Sequence, residues 1–203
     1  MAAPILRTKR LILKALEEKD ADRLFAYRSD PEVYRYKGWK PRLRAEAVDF
    51  IRRNTVEFDR PGTWFQLGIY DRDSLELVGD AGLHFLEPEG LQVEIGYTIA
   101  PPHQRQGLAG EAVREVIGYL FRVMRKHRII ASVDPENAAS LALAESLGLR
   151  REGHFRKSVW NGDYWEDDVI YAILAEEWSG TSGAIPGATD HSSGPTEGGG
   201  GPG

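Results

Sequence analysis

The chain has 203 residues, of which 41% are hydrophobic and 28% are charged, and its formal net charge at pH 7 is −5. This composition is typical of a soluble protein with enough residues for one hydrophobic core. The negative net charge excludes a global basic field for nucleic acid. No apolar run approaches the length of a membrane span, about 20 residues. There is no cysteine and no basic-then-apolar leader at the N-terminus. Disulfides, thiolate metal sites and a cysteine nucleophile are therefore excluded, and the chain fits a reducing cytoplasm.

Taken in chain order, the apolar pattern predicts alternating strands and helices. Strands are predicted at residues 10–14, 63–70, 75–86, 91–99, 128–133, 154–160 and 167–174. Helices are predicted at residues 17–28, 44–58, 107–125 and 137–147. Asp30-Pro31 is expected to stop the first helix, Asn137 and Gly148 to cap the last one, and Asn161-Gly162 to turn a hairpin. These elements predict an α/β domain with a mixed, mostly antiparallel sheet.

The composition changes after Trp178. Residues 179–203 are mostly Gly, Ser, Thr, Ala and Pro, with one large aliphatic residue, Ile185. Such a segment buries too little apolar surface to offset the entropy of ordering it. We therefore predict a folded domain at residues 1–178 and a disordered tail at residues 179–203.

The most informative segment runs from Glu94 to Ala112, where an apolar strand enters a loop and then a helix that begins among small residues. The first N–H groups of a helix have no intrahelical partner, and the helix dipole favours an anion there. The segment therefore predicts a diphosphate site. A Rossmann dinucleotide site fits less well, because the Gly-x-Gly-x-x-Gly pattern is absent and Pro101-Pro102 interrupts the tight turn.

Gln104-Arg-Gln-Gly107-Leu-Ala109 also resembles the Gln/Arg-x-x-Gly-x-Gly/Ala signature of the GNAT (Gcn5-related N-acetyltransferase) superfamily. The chain is similar to the RimJ/RimL-like branch over about residues 6–178, through short motifs in order that include Thr8 to Leu13, Val93 to Tyr97, and Asn137-Ala-Ala-Ser140. The resemblance implies a GNAT fold: a twisted sheet of six or seven strands, splayed between the fourth strand (91–99) and the fifth (128–133), with about four flanking helices. It implies acetyl-CoA in that gap and an acceptor amine entering from the other side.

The resemblance also assigns the residues that hold the co-substrate. Backbone N–H groups of the loop are expected to bind the pyrophosphate, and Ile99 and its neighbours are expected to offer backbone groups to the pantetheine. Asn137 is expected to hydrogen-bond the pantetheine, or only to cap its helix. The loop residues are Gln104, Arg105, Gln106, Gly107, Leu108, Ala109 and Gly110.

Two residues are candidates for proton transfer. The resemblance makes Glu94 the candidate general base, acting through water, because some GNAT relatives carry a catalytic glutamate at this place. The alternative is a strand glutamate paired with an arginine. Ser140 is the candidate for protonating the leaving thiolate, or else a helix-start serine that bonds to the backbone. Many GNAT enzymes carry a tyrosine for that step at the position of Ala144, so this chain departs from the pattern.

The candidate acceptor site is aromatic and acidic. Tyr34, Tyr36, Trp39 and Trp64 are expected to line it, or else to be core residues, with Trp160, Tyr164 and Trp165 near its rim. Glu166, Asp167 and Asp168 form an acidic cluster that would attract a cationic amine, or else a solvated turn. The histidine spacing predicts no metal site.

The sequence thus predicts an N-acetyltransferase in which an amine attacks acetyl-CoA directly in a ternary complex, since no cysteine is available. The acceptor is a protein N-terminus of the ribosomal-protein type or a small cationic amine, with no nucleic-acid or membrane partner. A longer donor such as succinyl-CoA, and a non-catalytic CoA-binding sensor or interaction module, are the alternatives. Exposed aromatics near the C-terminal hairpin suit a homodimer.

Overall fold

The structure is a computed structural model, and it describes residues 2–36 and 39–180. Only Ser179 and Gly180 of the predicted tail fall within this range, so the prediction of disorder lies outside the described residues. No helix in this part of the chain is long and apolar enough to cross a bilayer.

Eight strands form one sheet in the spatial order β1-β2-β3-β4-β5-β6-β8-β7. The strands are β1 (Leu6–Arg7), β2 (Leu11–Ala15), β3 (Thr63–Asp71), β4 (Leu77–Phe85), β5 (Gln92–Ile99), β6 (Arg128–Val133), β7 (Arg150–Trp160) and β8 (Trp165–Leu174). Only β5 and β6 pair in parallel within the described sheet, and the other neighbours are antiparallel. The predicted mixed, mostly antiparallel α/β architecture is confirmed, with one strand more than expected.

Helices cover both faces of the sheet. The α-helices are α1 (Ala21–Arg28), α2 (Pro31–Tyr34), α3 (Arg44–Asn54), α4 (Leu108–Arg122) and α5 (Ala138–Ser146), with 3₁₀ turns at Glu18–Asp20, Pro101–His103 and Ala175–Glu177. The apolar side of α4 packs with β2 to β6 and β8 in the main core. Helices α1 and α3 contribute to a smaller core that also takes in Tyr70 and Leu77.

The sheet opens between β5 and β6, which are the fourth and fifth of the predicted strands. Their parallel pairing runs only from Gln92–Arg128 to Glu94–Ile130. Beyond these pairs β5 continues to Ile99 and β6 to Val133. The last residues of both strands therefore border a gap rather than each other, which is the splay that the family resemblance implies.

Several element boundaries differ from the predictions for local reasons. Asp30 ends α1 but also begins α2, because its side chain accepts a hydrogen bond from Glu32 N at 2.9 Å and Pro31 occupies the first helical position. Helix α3 ends at Asn54 rather than at residue 58. Phe58 is nonetheless 1% exposed, and it enters the main core from the following loop.

Candidate active site

A cleft lies in the gap between the separating ends of β5 and β6. Ile95, Gly96 and Tyr97 line it from β5, and residues 131–134 line it from β6 and the loop that follows. Helix α5 forms the remaining wall, together with Val113 of α4 and Tyr36. Splayed strands leave backbone groups without a partner in the sheet, and a ligand can satisfy them. The cleft is therefore suited to an extended polar ligand.

The structure brings Asn137 and Ser140 together at the start of α5, where both line the cleft. Asn137 Oδ1 accepts a hydrogen bond from Ser140 N at 3.1 Å, which confirms the predicted N-cap. Ala144 lines the cleft one turn further on. Alanine has no hydroxyl, so this position lacks the proton donor that a tyrosine would supply.

Tyr97, which the sequence analysis did not select, supplies a phenol to the same cleft from β5. Its side chain hydrogen-bonds with Ser140. Burial raises the pKa of Tyr97, and the bond with Ser140 opposes that rise only in part. The phenol is therefore protonated over the physiological range. Two features of the sequence pointed to Tyr97: the alternation of side chains along β5, and the departure from the family pattern at Ala144.

Glu94 lies on β5 at the base of the splay, in the last residue pair before β5 and β6 separate. Its side chain is 30% exposed, and its Oε2 lies 3.5 Å from His84 Nδ1 on β4. The alternative interpretation predicted an arginine partner, and among the described residues the titratable side chain recorded beside Glu94 is this imidazole. Glu94 and Gly96 have the same orientation on β5, because they are two residues apart.

The predicted pyrophosphate loop joins β5 to α4. Gly107 precedes α4 with φ +75°, and Arg105 has φ +60°, so two residues of the loop are left-handed. Glu111 N donates to Gly107 O at 3.1 Å and closes the first helical turn. The N–H groups of residues 108–110 lie in that first turn and have no acceptor in their own helix. This backbone is suited to an anion.

Side chains of the loop stabilise its conformation. Gln104 Nε2 donates to the carbonyl of Ile99 at 3.0 Å, and Gln106 Nε2 donates to the carbonyl of Pro102 at 3.1 Å. The carbonyl of Ile99 therefore already has a partner. The expected role of Ile99 toward the pantetheine stays a prediction, and it would rest on other backbone groups at the strand end.

Arg10 is a second residue that the sequence analysis did not place at the site. Arg10 Nη1 donates to the carbonyl of Gln106 at 2.9 Å, and Arg10 Nε donates to Glu111 Oε2 at 2.6 Å. Although partial burial opposes it, the hydrogen bonds from Thr8 and Arg10 lower the pKa of Glu111 overall. A cation is thus held beside the loop where the anion is expected, and its carboxylate partner stays ionised.

Acidic residues surround the mouth of the cleft. Partial burial and the charges of Glu166 and Glu136 raise the pKa of Asp134, which lines the cleft. Asp168 accepts a hydrogen bond from Ser132 Oγ at 2.9 Å. We call Asp134, Glu136, Glu166 and Asp168 the acidic rim. Arg35 is the basic residue recorded against it, 3.3 Å from Glu136.

The structure does not bring Asp167 to this rim. Asp167 accepts hydrogen bonds from Lys157 N and pairs with His154 Nε2, both at 2.8 Å, and these contacts lower its pKa. Consecutive residues of a strand point to opposite faces, so Asp167 on β8 faces away from Glu166 and Asp168. The predicted acidic cluster is therefore divided between two faces of the sheet.

The predicted aromatic residues are also divided. Tyr36 lines the cleft, and Tyr34 lies nearby at the end of α2. Trp64 is 39% exposed and stacks on His84 with a ring separation of 4.8 Å. Trp39 stacks instead on Phe50 at 4.2 Å and belongs to the smaller core. Trp160 and Trp165 lie against each other at the β7–β8 hairpin, exposed by 53% and 55%.

Within the described residues, no group of three or more His, Asp and Glu side chains is arranged to hold a metal ion. The polar side chains in and beside the cleft carry phenol, hydroxyl, imidazole and carboxylate groups.

Comparison with known proteins identifies the family. The family model described as an acetyltransferase (GNAT) domain matches residues 10–150. The chain belongs to the GNAT acetyltransferase family. It is an acyltransferase of the N-acetyltransferase type, as the resemblance predicted.

Relatives agree with this assignment over most of the chain. The chain is 34% identical over 174 residues to the uncharacterized N-acetyltransferase YnaD of Bacillus subtilis, covering 86% of this chain and 99% of that protein. It is 29% identical to the [ribosomal protein uS5]-alanine N-acetyltransferase of Escherichia coli, covering 86% and 92%. A crystal structure of a GNAT-family acetyltransferase from Bacillus anthracis superposes with a TM-score of 0.77 at 31% identity, covering 86% of this chain and all of that one.

Proposed function

We propose that the protein transfers an acetyl group from acetyl-CoA to a primary amine by direct attack in a ternary complex. The observation that carries this proposal is the separation of β5 from β6 after Glu94 and Ile130, which opens a cleft beside the start of α5. The donor enters from the side of α4, where the loop before the helix offers N–H groups to a pyrophosphate. A methyl group added at Gly110 would lie 3.4 Å from Leu143 of α5, so this loop and the cleft adjoin.

Glu94 is the proposed general base. An acceptor amine enters as an ammonium ion and must lose a proton before it attacks the thioester. Gly96, the next residue on the same face of β5, has no atom within 4 Å of the position that a Cβ would take. The open space beside Glu94 is thus next to the cleft, where an amine approaching the donor would lie.

Ser140 is the proposed proton donor to the leaving thiolate, and Tyr97 is the group that returns a proton to Ser140. The two side chains are hydrogen-bonded, and the phenol keeps its proton because burial raises its pKa. A proton that passes from Ser140 to the thiolate is replaced from the Tyr97 phenol along that hydrogen bond, and the phenolate then takes up a proton from solvent, which restores both hydroxyls. Tyr97 on β5 and Ser140 on α5 together supply the proton that, in many family members, a tyrosine at the position of Ala144 donates to the leaving thiolate.

The acceptor is proposed to carry positive charge at and near the reacting amine. The acidic rim favours such a group because four carboxylates face one recorded arginine at the mouth of the cleft. A polyamine or aminoglycoside fits this charge. A protein N-terminus is the second candidate, and the relation to the uS5-alanine N-acetyltransferase favours it. Acetyl-CoA is the proposed donor, with succinyl-CoA as the comparison in the test, and a cytoplasmic location stays a prediction.

A thiol-release assay with acetyl-CoA tests the proposal against polyamines, aminoglycosides, amino acids and peptides with free N-termini. We expect turnover with one class and at least a tenfold loss in Glu94→Gln, while CoA still raises the melting temperature of the variant. Glu115→Gln, on α4 away from the cleft, is the matched control. Thermal stabilisation by CoA without turnover for any acceptor would contradict the proposed transfer.

We also propose a homodimer that uses the β7–β8 hairpin. Strand β7 is an edge strand, and Phe155, Trp160, Tyr164 and Trp165 are each more than half exposed on this hairpin. An exposed aromatic surface on a sheet edge is suited to a partner. Light scattering should give twice the chain mass, and a monomer at micromolar concentration would contradict this proposal.

A further inference from the structure

Three side chains form a row across the sheet beside the cleft. Trp64 on β3 is paired in register with His84 on β4, and His84 is paired with Glu94 on β5. Because register partners point to the same face, all three lie on one side of the sheet. The indole of Trp64 stacks on the imidazole with an interplanar angle of 12°. The imidazole is thereby held in place next to the carboxylate.

The ring nitrogen that faces Glu94 is unusual. His84 Nδ1 lies 3.5 Å from Glu94 Oε2, and no hydrogen bond to this buried atom is recorded among the described residues. A buried polar atom without a partner costs free energy. A neutral imidazole with its hydrogen on Nε2 presents a lone pair at Nδ1. A protonated Glu94 would satisfy that lone pair, whereas an ionised Glu94 would be matched by the other tautomer, which carries its hydrogen on Nδ1.

We propose that His84 receives the proton that Glu94 removes from the acceptor amine. The N–H bond of the ammonium breaks, its electron pair stays on nitrogen, and an O–H bond forms on Glu94. That O–H bond then breaks as an N–H bond forms at His84 Nδ1, which leaves the carboxylate ionised again. One positive charge passes from the amine to the imidazolium, which releases its proton to water, since the side chain is 26% exposed. The inference rests on the proposed role of Glu94.

Other charged groups on this face are already engaged or lie at its edge. Asp80, further along β4, is bound by Tyr27 and Arg28 of α1 and by Gln66 of β3. On the other side of Glu94 the row continues with Ile130 of β6, which cannot titrate. Glu166 and Asp168 face this side from β8, and Asp134 and Arg35 lie at the cleft mouth. His84 is therefore the titratable group that the geometry couples directly to Glu94.

His84 acts through Glu94, so it is a positioning residue, and its test needs the pH profile. We would measure kcat against pH at saturating acetyl-CoA and acceptor for the wild type, His84→Gln and Glu94→Gln. The wild-type kcat should decline toward acidic pH, because an imidazole that already carries both protons cannot accept another from Glu94. In His84→Gln, kcat should fall about tenfold or more, and the acidic decline of the remaining activity should differ from that of the wild type. His127→Gln, exposed and away from the cleft, is the matched control and should keep the wild-type profile.

The outcomes separate this inference from the proposed function. A wild-type kcat and profile in His84→Gln would overturn the relay even where Glu94→Gln is inactive. Full turnover by Glu94→Gln would instead overturn the role of Glu94. If His84→Gln does not fold, Glu94→Asp provides the second test, because it keeps a carboxylate but moves it from Nδ1 by one methylene. That variant should show a changed acidic decline, and an unchanged decline would overturn the relay.

Discussion

Asp80 is the buried carboxylate that ties α1 to the sheet beneath the acceptor side of the cleft. It is 0% exposed, and its Oδ1 accepts hydrogen bonds from Tyr27 Oη at 2.6 Å and Arg28 Nε at 3.1 Å. Its Oδ2 accepts from Arg28 Nη2 and Gln66 Nε2. Although burial opposes it, Asp80 raises the pKa of Arg28 overall. Because an arginine guanidinium remains protonated in proteins, Arg28 stays charged when its partner is removed.

We predict that Asp80→Ala lowers the free energy of unfolding by about 3–5 kcal/mol, because it leaves a buried charge without a partner. For a protein of this size the loss corresponds to a decrease in melting temperature of about 6–20 °C. Urea unfolding followed by tryptophan fluorescence gives the free energy directly. Asp73→Ala, in the exposed turn between β3 and β4, is the matched control and should stay within about 0.5 kcal/mol of the wild type.

A second substitution separates the orphaned charge from lost packing. Adding Arg28→Met to Asp80→Ala removes the unpaired cation and keeps much of the side-chain volume. We expect the double variant to be more stable than Asp80→Ala alone, by about 1 kcal/mol or more. The reasoning would be refuted if Asp80→Ala cost less than about 1 kcal/mol, or if the two substitutions destabilised additively.

Three further predictions follow from single residues. Gly96→Leu should leave the free energy of unfolding within about 0.5 kcal/mol, since a Cβ there meets nothing within 4 Å, yet acetyl transfer should fall at least tenfold because the side chain fills the space beside the cleft. Arg10→Gln should weaken CoA binding about three- to tenfold in calorimetry, because Arg10 holds the carbonyl of Gln106 in the anion loop; unchanged affinity would exclude that role. Burial and a hydrogen bond to Asp20 raise the pKa of Tyr70, so its contribution to stability is complete below about pH 10 and declines above it by up to about 1.4 kcal/mol per pH unit. Urea unfolding at pH 8 and 11 should show a smaller decline in Tyr70→Phe than in the wild type.

Sequence patterns of a few residues correctly predicted the helices, caps and turns whose formation depends on neighbouring residues in the chain. The recurrence of apolar residues along α4 matches its buried side, and Asn137 caps α5 through Ser140 N. Asn161-Gly162 does turn the β7–β8 hairpin, where Gly162 has φ +105°. Strand β1 was missed because two residues carry no periodic signal. Helix α2 was missed although Asp30-Pro31 is a start signal as well as a stop signal.

The site was predictable in part, for a different reason. Asn137 and Ser140 are close in sequence, so one motif identified two of the residues that line the cleft. The contact between His84 and Glu94 depends on the register of β4 against β5, which a single sequence does not specify. The opposite orientation of Asp167 and Asp168 was available from strand alternation, and the prediction of one acidic cluster overlooked it.

In the proposed mechanism, strand β5 presents one face to each of the two substrates. Val93, Ile95 and Ile99 face the main core, with Tyr97 packed against it at the α5 side of the cleft. Glu94 and Gly96 alternate with them and face the acceptor side. A shift of one residue in the pairing of β4 with β5 would exchange Glu94 for an apolar neighbour. Seven consecutive residue pairs, from Gly79–Ile99 to Phe85–Val93, oppose that shift. The pairing of β5 with β4 thus fixes the position of Glu94, while the unpaired side of β5, beyond Ile130 of β6, borders the cleft in which we propose that the two reactants meet.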